Sequence, residues 1–369
     1  MSDPEAPSVD NRPLPPGLVW SSDDRPGISR RRSGAGFSYR NADGVLVRAA
    51  NDIARIRGLV IPPAWSEVWI CPHAAGHIQA TGRDARGRKQ YRYHADWNAV
   101  RSANKFDRLP AFAKALPRLR RKVEADLARP GAGREKVLAA SVRLLELTLI
   151  RVGNAQYARQ NRSYGLTTLH KRHLTVDGVA LRFSFRGKSG VDHKVSIRDR
   201  RLAAVARSLR DLPGQTLFKY SDALGDVHQV TSDDVNAYIR AVMGDDFSAK
   251  DFRTWAGTVS AARLLKGAEP PNSSTDAKRK TTVCLRTVAG LLGNTLAVCR
   301  SSYVHPVVLT LFASGELADA LPGAETAGFE KALAKLLAAA QRIDQVKQTK
   351  NITISLFPPL DRLLEHPRT

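Results

Sequence analysis

The hydrophobic pattern of this chain changes period at about residue 105, and that change constrains the fold more than any other feature. Before it, apolar residues come in short alternating runs: Phe37-Ser38-Tyr39, Val45-Leu46-Val47, Val68-Trp69-Ile70 and His77-Ile78-Gln79-Ala80-Thr81. Asp43-Gly44, Pro72 and Gly82-Arg83-Asp84 separate them, so they read as strands joined by turns. One short helix is predicted over 49–57, with Ile61-Pro62-Pro63 blocking its continuation. Together these predict a β-rich N-terminal domain over 29–105. Residues 1–28 are rich in Pro, Asp and Ser and poor in apolar side chains, which predicts a disordered tail.

Beyond that point the spacing is helical. A helix is predicted over 111–129, with Pro117 placed to kink or divide it and Pro130-Gly131-Ala132-Gly133 closing it. Val137, Leu138, Val142, Leu145 and Leu149 form a stripe at 3.6 spacing within a helix over 134–152. A hairpin follows, in which Leu181–Phe185 and Val191–Ile197 flank the turn Gly187-Lys188-Ser189-Gly190. Further helices are predicted over 199–210, 232–243, 250–266, 280–298 and 327–347. The fold class is therefore α+β: a small β-rich domain, then a larger, mainly α domain over 106–369 carrying a short β-hairpin sheet. Such a pair of parts suits a clamp with a groove, although architecture alone does not give function.

Charge narrows the partners. Lys and Arg number 58 against 35 Asp and Glu, a net charge of +23 and a pI near 10.4. That excess suits a polyanion, with DNA or RNA first and an anionic membrane surface second. The three cysteines, Cys71, Cys284 and Cys299, show neither metal-ligand spacing nor an even disulfide framework, and read as small core residues of a reducing compartment. The N-terminal stretch lacks the apolar segment of a secretory signal, and no run of about 18 apolar residues occurs. An intracellular protein is expected, cytoplasmic and nucleoid-associated if bacterial.

Several chemistries lack their signatures. There is no Walker A loop, no GxGxxG after a strand, no HExxH and no CxxC pair. A protein that cuts a phosphodiester without a metal cage needs cations for the phosphate, a nucleophile, and an acid for the leaving oxygen. The informative candidates are basic or nucleophilic residues set in apolar, structured contexts. Arg151 ends Leu149-Ile150-Arg151-Val152-Gly153-Asn154, and Arg253 opens an apolar helix in Asp251-Phe252-Arg253-Thr254-Trp255. Lys188 sits at a hairpin tip, and Tyr303 lies in Ser301-Ser302-Tyr303-Val304-His305-Pro306. Each alone has an ordinary reading as well: a structural ion pair for the arginines, a solvated lysine, a core tyrosine.

Taken together and in order, these segments resemble the type IB DNA topoisomerases of bacteria and poxviruses. The resemblance is carried by Ile150–Asn154 with Tyr157, Asn161 and Ser163–Leu169, by Phe185–Lys188, by Lys250–Trp255, by Leu292-Gly293-Asn294-Thr295, and by Ser302–Pro306. In the small domain it is carried by Ile61–Trp65, Gly76–Asp84 and Gly87–Tyr91, so that it covers roughly 30–320. The resemblance implies a metal- and ATP-independent enzyme, without cofactor, that acts on double-stranded DNA as a monomer closed around the duplex. Tyr303 would attack the scissile phosphate and form a 3′-phosphotyrosyl bond. Arg151 and Arg253 would hold the non-bridging oxygens. Lys188 would protonate the 5′ oxygen. Asn294 stands where many members carry His and would donate a hydrogen bond to the phosphate. The three cations around one phosphate would also favour ionisation of Tyr303.

For the DNA grip, the same reading selects Arg83, Arg86, Arg88, Lys89 and Arg92, interleaved with Gln79, Gln90, Tyr91 and Tyr93, together with Lys250. A solvated basic loop is the plain alternative. Arg30, Arg31 and Arg32 read either as tail bases adding non-specific affinity or as a solvated run. The nearest rival function is a tyrosine recombinase, in which His usually stands where this chain has Lys250. A non-catalytic DNA-binding protein and an RNA-binding module are the other readings.

Overall fold

Five antiparallel strands make up the first part of the chain: β1 Ile28–Ser33, β2 Gly36–Arg40, β3 Ser66–Ile70, β4 Ile78–Arg83 and β5 Lys89–Tyr93. The computed structural model describes residues 14–34, 36–85, 87–98, 106–244 and 247–356. The chain divides into two units, residues 1–105 and 106–369. In the first, the strand order is β2-β1-β3-β4-β5. Helix α1, Ala50–Gly58, buries Ile56 against Ile28, Val68, Ile70 and Ala80, with Trp65 and Ile61 at the margin. So few large side chains make a small core, and hydrogen bonds from long polar side chains complete it.

Arg30 shows how. It lies on β1, and its guanidinium donates to the carbonyls of Ile61 (3.2 Å), Pro62 (3.0 Å) and Trp65 (2.7 Å) while stacking 4.1 Å from the centre of the Phe37 ring. The reading of residues 30–32 as a tail is thereby corrected. β1 was missed because Ile28 is its one apolar residue, so period-two alternation carries no signal there. Val45–Val47 forms no named strand; Leu46 bridges Arg40 singly.

The expected disordered tail, 1–28, is corrected over its second half, while residues 1–13 lie outside the described residues. Val19 pairs with the 75–77 segment, its N–H donating to the Ala75 carbonyl and its carbonyl accepting from the His77 N–H. Trp20 packs edge-on against His77 (4.5 Å) and Trp97 (5.5 Å). The Ser21 N–H donates to His77 Nδ1, and Asp23 accepts from Thr81 and Lys89. These are specific polar and aromatic bonds, which composition does not reveal.

The second unit is mainly helical: α2 Leu109–Leu127, α3 Arg134–Thr148, α4 Ala155–Asn161, α5 Arg200–Asp211, α6 Ser232–Met243, α7 Ala249–Lys266, α8 Ser274–Leu292, α9 Leu296–Ser302, α10 Pro306–Ala313, α11 Leu317–Ala320 and α12 Phe329–Leu356. A three-stranded antiparallel sheet joins them: β6 Leu174–Asp177, β7 Ala180–Arg186 and β8 Asp192–Arg198, in the order β6-β7-β8. A small hairpin pairs β9 Lys219–Ser221 with β10 Val227–Gln229. Phe112, Leu116, Leu119 and Val123 are all buried on one stripe of α2. Each such side chain contributes about 1.5–3 kcal/mol by leaving water. That burial carries α2 unbroken through Pro117, which does not divide it into two elements. Phe329, Leu333 and Leu337 dock α12 onto the same core. The helix predicted over 280–298 is in fact two, broken at Gly293-Asn294-Thr295.

Asp126 joins α2 to α6. It is 1% exposed and accepts from Lys122 (2.7 Å), Arg129 (3.0 Å) and the Tyr238 hydroxyl (2.8 Å). Burial alone would raise its pKa, but the Lys122 and Tyr238 hydrogen bonds and the two cations outweigh it and hold the carboxyl below its usual range. Its charge therefore stabilises the fold above the ordinary carboxylate pKa, and that contribution is lost as pH falls through the lower folded value. Asp126→Asn is expected to lower the urea midpoint at pH 7, and the deficit is expected to shrink below about pH 4. A deficit that stayed constant with pH would show that shape, not charge, is what matters there.

Candidate active site

Helix α3 ends at Leu149, which adopts a left-handed conformation (φ +55°), and the chain then runs straight into Ile150 and Arg151. The backbone at Arg151 is held by a second segment. The Leu166 N–H donates to the Arg151 carbonyl and the Thr167 N–H to the Val152 carbonyl, both at 2.8 Å. The two segments touch at Gly153 and Gly165. A Cβ on Gly165 would lie 2.5 Å from the Gly153 Cα and 2.6 Å from the Arg151 oxygen. Both glycines are therefore required by the close approach that aims Arg151.

Arg253 comes from the second turn of α7 and is 5% exposed. Its guanidinium donates to the Leu149 carbonyl at the end of α3 and to the Leu292 carbonyl at the end of α8 (2.5 Å). Terminal helix carbonyls lack intrahelical donors and carry the negative end of the dipole, so one cation satisfies two helix ends. Burial, then the charge of Arg151, push its pKa down, while the Tyr303 side chain pulls it up through charge and a hydrogen bond.

Beyond Leu292, Gly293 turns left-handed (φ +58°). The Gly293 N–H donates to the Gly290 carbonyl and the Asn294 N–H to the Ala289 carbonyl, a Schellman ending that delivers Asn294 to the site. The Arg151 Nη2 donates to Asn294 Oδ1 at 2.6 Å. A guanidinium has no acceptor, so this contact fixes the amide orientation. The Nδ2 of Asn294 and the Nε of Arg253 are buried donors without a protein acceptor.

Tyr303 follows α9, and its ring lies 5.3 Å from the Arg253 guanidinium carbon. Its backbone is fixed from α7: Thr258 Oγ1 donates to the Tyr303 carbonyl (3.3 Å) and accepts from the His305 N–H (3.1 Å). Gly257 leaves the room, since a Cβ there would meet the Tyr303 carbonyl at 2.6 Å. His305 then caps α10 through Nδ1, with Pro306 in the first turn. The motif Tyr-Val-His-Pro is thus the joint between two helices.

Arg151, Asn294, Arg253 and Tyr303 are brought together in this way. Lys188 is exposed on the single turn Lys188–Gly190 between β7 and β8 and shares no hydrogen bond or ion pair with them. What links that turn to the others is His193, which sequence reasoning missed. Its ring stacks on Phe185 (5.1 Å, 8°) and lies against both Gly187 and Gly293. The available signal was its parity on β8, shared with the half-buried Val195 and Ile197. Lys250, at the start of α7, is exposed. Among the described residues, no group of three His, Cys, Asp or Glu side chains is placed to hold a metal ion.

Comparison with known proteins matches residues 94–312 to the catalytic core of eukaryotic DNA topoisomerase I, and residues 36–84 to the N-terminal domain of bacterial DNA topoisomerase IB. The chain is also 34% identical over 294 residues to DNA topoisomerase 1B of Acanthamoeba polyphaga mimivirus, covering 78% of this chain and 87% of that protein. The chain belongs to the type IB DNA topoisomerase family. The α+β class read from its pattern is the class observed.

In this topoisomerase's N-terminal unit, the residues selected for DNA contact do not share one fate. Gln79 is 3% exposed: its Oε1 accepts from Arg55 (3.0 Å), and its Nε2 donates to the carbonyls of His73, Ala74 and Gly76. It is an internal strut with its hydrogen bonds taken, and the reading of Gln79 as a base contact is corrected. The basic stretch, for which a solvated loop was the plain alternative, includes strand β5 at the sheet edge. Lys89, Tyr91 and Tyr93 fall on one face, with Lys89 5.6 Å from the Tyr91 ring and the two tyrosines stacked at 5.8 Å. Gln90 and Arg92 fall on the other, Arg92 donating to the Val60 carbonyl (2.9 Å) and lying over Trp65. The basic residues are paired within the unit: Arg83 with Glu67, Arg88 with Asp84, and Lys89 with Asp23, while Gln90 donates to Asp84. Arg86 lies outside the described residues. Gln79→Ala is expected to lower the melting temperature while leaving the slope of DNA affinity against salt unchanged. A loss of sequence preference at constant stability would restore Gln79 to the interface.

Proposed function

We propose that this protein relaxes supercoiled DNA by breaking and rejoining one strand through Tyr303. The reading is carried by one observation: the Arg151–Asn294 pair, the Arg253 guanidinium and the Tyr303 ring converge, with two buried donors, Asn294 Nδ2 and Arg253 Nε, lacking a protein acceptor. Leaving a buried donor unmet costs about 1–3 kcal/mol, and a phosphate oxygen supplies what each lacks. In this mechanism the Tyr303 oxygen bonds to phosphorus, its proton passing to water, and the bond from phosphorus to the 5′ oxygen breaks. Lys188, carried on its exposed turn, gives that oxygen a proton. Arg151, Arg253 and Asn294 stabilise the charge of the pentacoordinate phosphate. The phosphotyrosyl ester keeps the energy of the original diester, so the reverse attack needs no ATP.

Exposed Lys250 and the basic residues Arg83, Arg88 and Lys89 suit phosphate contacts, with Tyr91 and Tyr93 beside Lys89. Each pair with a carboxylate in the N-terminal unit would be exchanged for a phosphate, so affinity should fall steeply with salt. Action as a monomer closed around the duplex, in the cytoplasm and on the nucleoid, belongs to the same proposal and rests on the sequence resemblance.

The first test is incubation of negatively supercoiled plasmid with the protein in EDTA without ATP. A ladder of relaxed topoisomers is expected, and none with Tyr303→Phe, which should still bind DNA. Relaxation by Tyr303→Phe would remove Tyr303 as nucleophile. For Asn294→Ala, cleavage is expected to slow about 10²–10³-fold, as for other donors to a developing oxyanion. An unchanged rate would mean that the amide serves only to orient Arg151.

A further inference from the structure

The turn that carries Lys188 and the turn that carries Asn294 come from distant parts of the chain, and one side chain stands between them. Strand register places His193 on β8 directly opposite Phe185 on β7. Phe185 is 6% exposed and belongs to the main core, so the imidazole stacked upon it, 5.1 Å away and inclined by 8°, rests on a fixed base. One edge of the ring faces the residue just before Lys188: a Cβ on Gly187 would collide with Cδ2 and lie 2.6 Å from Nε2. The adjacent edge, which shares Nε2, faces the residue just before Asn294: a Cβ on Gly293 would lie 2.8 Å from Cε1 and 3.4 Å from Nε2. Gly293 needs glycine for its left-handed turn as well. Gly187 does not, since its φ of −96° and ψ of −166° suit any residue. Its lack of a side chain answers to the ring alone.

We propose that His193 is a positioning residue, a spacer whose ring sets the distance between the Lys188 turn and the Gly293–Asn294 turn. It thereby fixes where the proton donor stands relative to the phosphate-binding groups. The proposal rests on Lys188 being the acid. Among the described residues the ring makes no hydrogen bond, so its contribution is shape and contact. Burial and the charges of Arg151 and Arg253 disfavour a charged ring and outweigh Asp192, which favours one. A neutral spacer does not repel the Lys188 ammonium.

The test is single-turnover cleavage by the full chain of two duplexes, one with oxygen and one with sulfur at the 5′ bridging position. A thiolate leaves without a proton, so a defect in placing the acid shows on oxygen and disappears on sulfur. His193→Ala is expected to slow cleavage of the oxygen duplex about a hundredfold, the usual scale for a misplaced catalytic group, and to cleave the sulfur duplex nearly as fast as the parent. Gly187→Ala, which pushes the ring aside without removing it, is expected to show the same pattern. The double variant should be no slower than His193→Ala, because the new methyl fills the vacated space. If His193→Ala fails to fold, the rates of Gly187→Ala on the two duplexes decide the question. Equal slowing on both duplexes, or no slowing on either, would overturn the proposal. Lys188→Ala run alongside separates the two ideas. If sulfur rescues Lys188→Ala but not the His193 and Gly187 variants, the spacer is wrong and the acid stands. If sulfur rescues none of them, the acid assignment itself has failed.

Discussion

One buried cation organises the catalytic unit. The Arg253 guanidinium sits in the core, where an unpaired charge is prohibitive, and the partners that make it tolerable are carbonyls at the ends of α3 and α8. Arg151 lies two residues beyond the first of those carbonyls, and Asn294 lies two residues beyond the second. The hydrogen bonds that solve a burial problem therefore also bring the Arg151 and Asn294 side chains, assigned above to the phosphate in the proposed reaction, to 2.6 Å from each other. The same guanidinium faces the Tyr303 ring. Structural and chemical roles are not separable at this residue: a change that frees the helix ends also scatters the site.

The N-terminal unit follows a different logic. Its core is small, and much of its order comes from polar side chains spanning the chain: Arg30 across the 61–65 turn, Gln79 under the 73–76 turn, and Asp23 from the N-terminal segment to Thr81 and Lys89. Its basic residues are neutralised in place by Glu67, Asp84 and Asp23. Cations paired in this way do not repel one another, and in the proposed complex DNA phosphates would take over each pairing in turn.

The helical half was the more legible from sequence. Stripes such as Phe112–Leu116–Leu119–Val123 or Val137–Leu138–Val142–Leu145 state which face is buried, and the helices over 232–243 and 249–266 lie where their spacing puts them. The site was legible as an ordered set of motifs, and Arg151, Arg253, Asn294 and Tyr303 do meet. The failures share a cause. β1, β5, the segment before Ile28 and the buried Gln79 are fixed by individual hydrogen bonds and ring contacts, which leave no periodic trace. The break at Gly293 sits inside an apolar pattern that continues from α8 into α9, so periodicity ran across it. His193 carries no motif of its own, and its place shows only in its parity on β8 together with the two glycines that its ring meets. Pro117 is the converse case, a strong local signal overruled by burial on both sides of it.

The joint at Tyr303 has a mechanical meaning. In the proposed covalent state the nucleophile is also the tether, and a strand that swivels about its partner pulls on the residue to which it is esterified. That pull enters a backbone gripped on both sides by one hydroxyl, with Thr258 holding the Tyr303 carbonyl and the His305 N–H, and Val304 fully buried between them. The strain is shared in parallel between α7 and the start of α10 rather than passed along a single loop. A tether anchored so stiffly keeps the phosphorus in one place while the DNA turns, which is what the returning 5′ hydroxyl needs to find it.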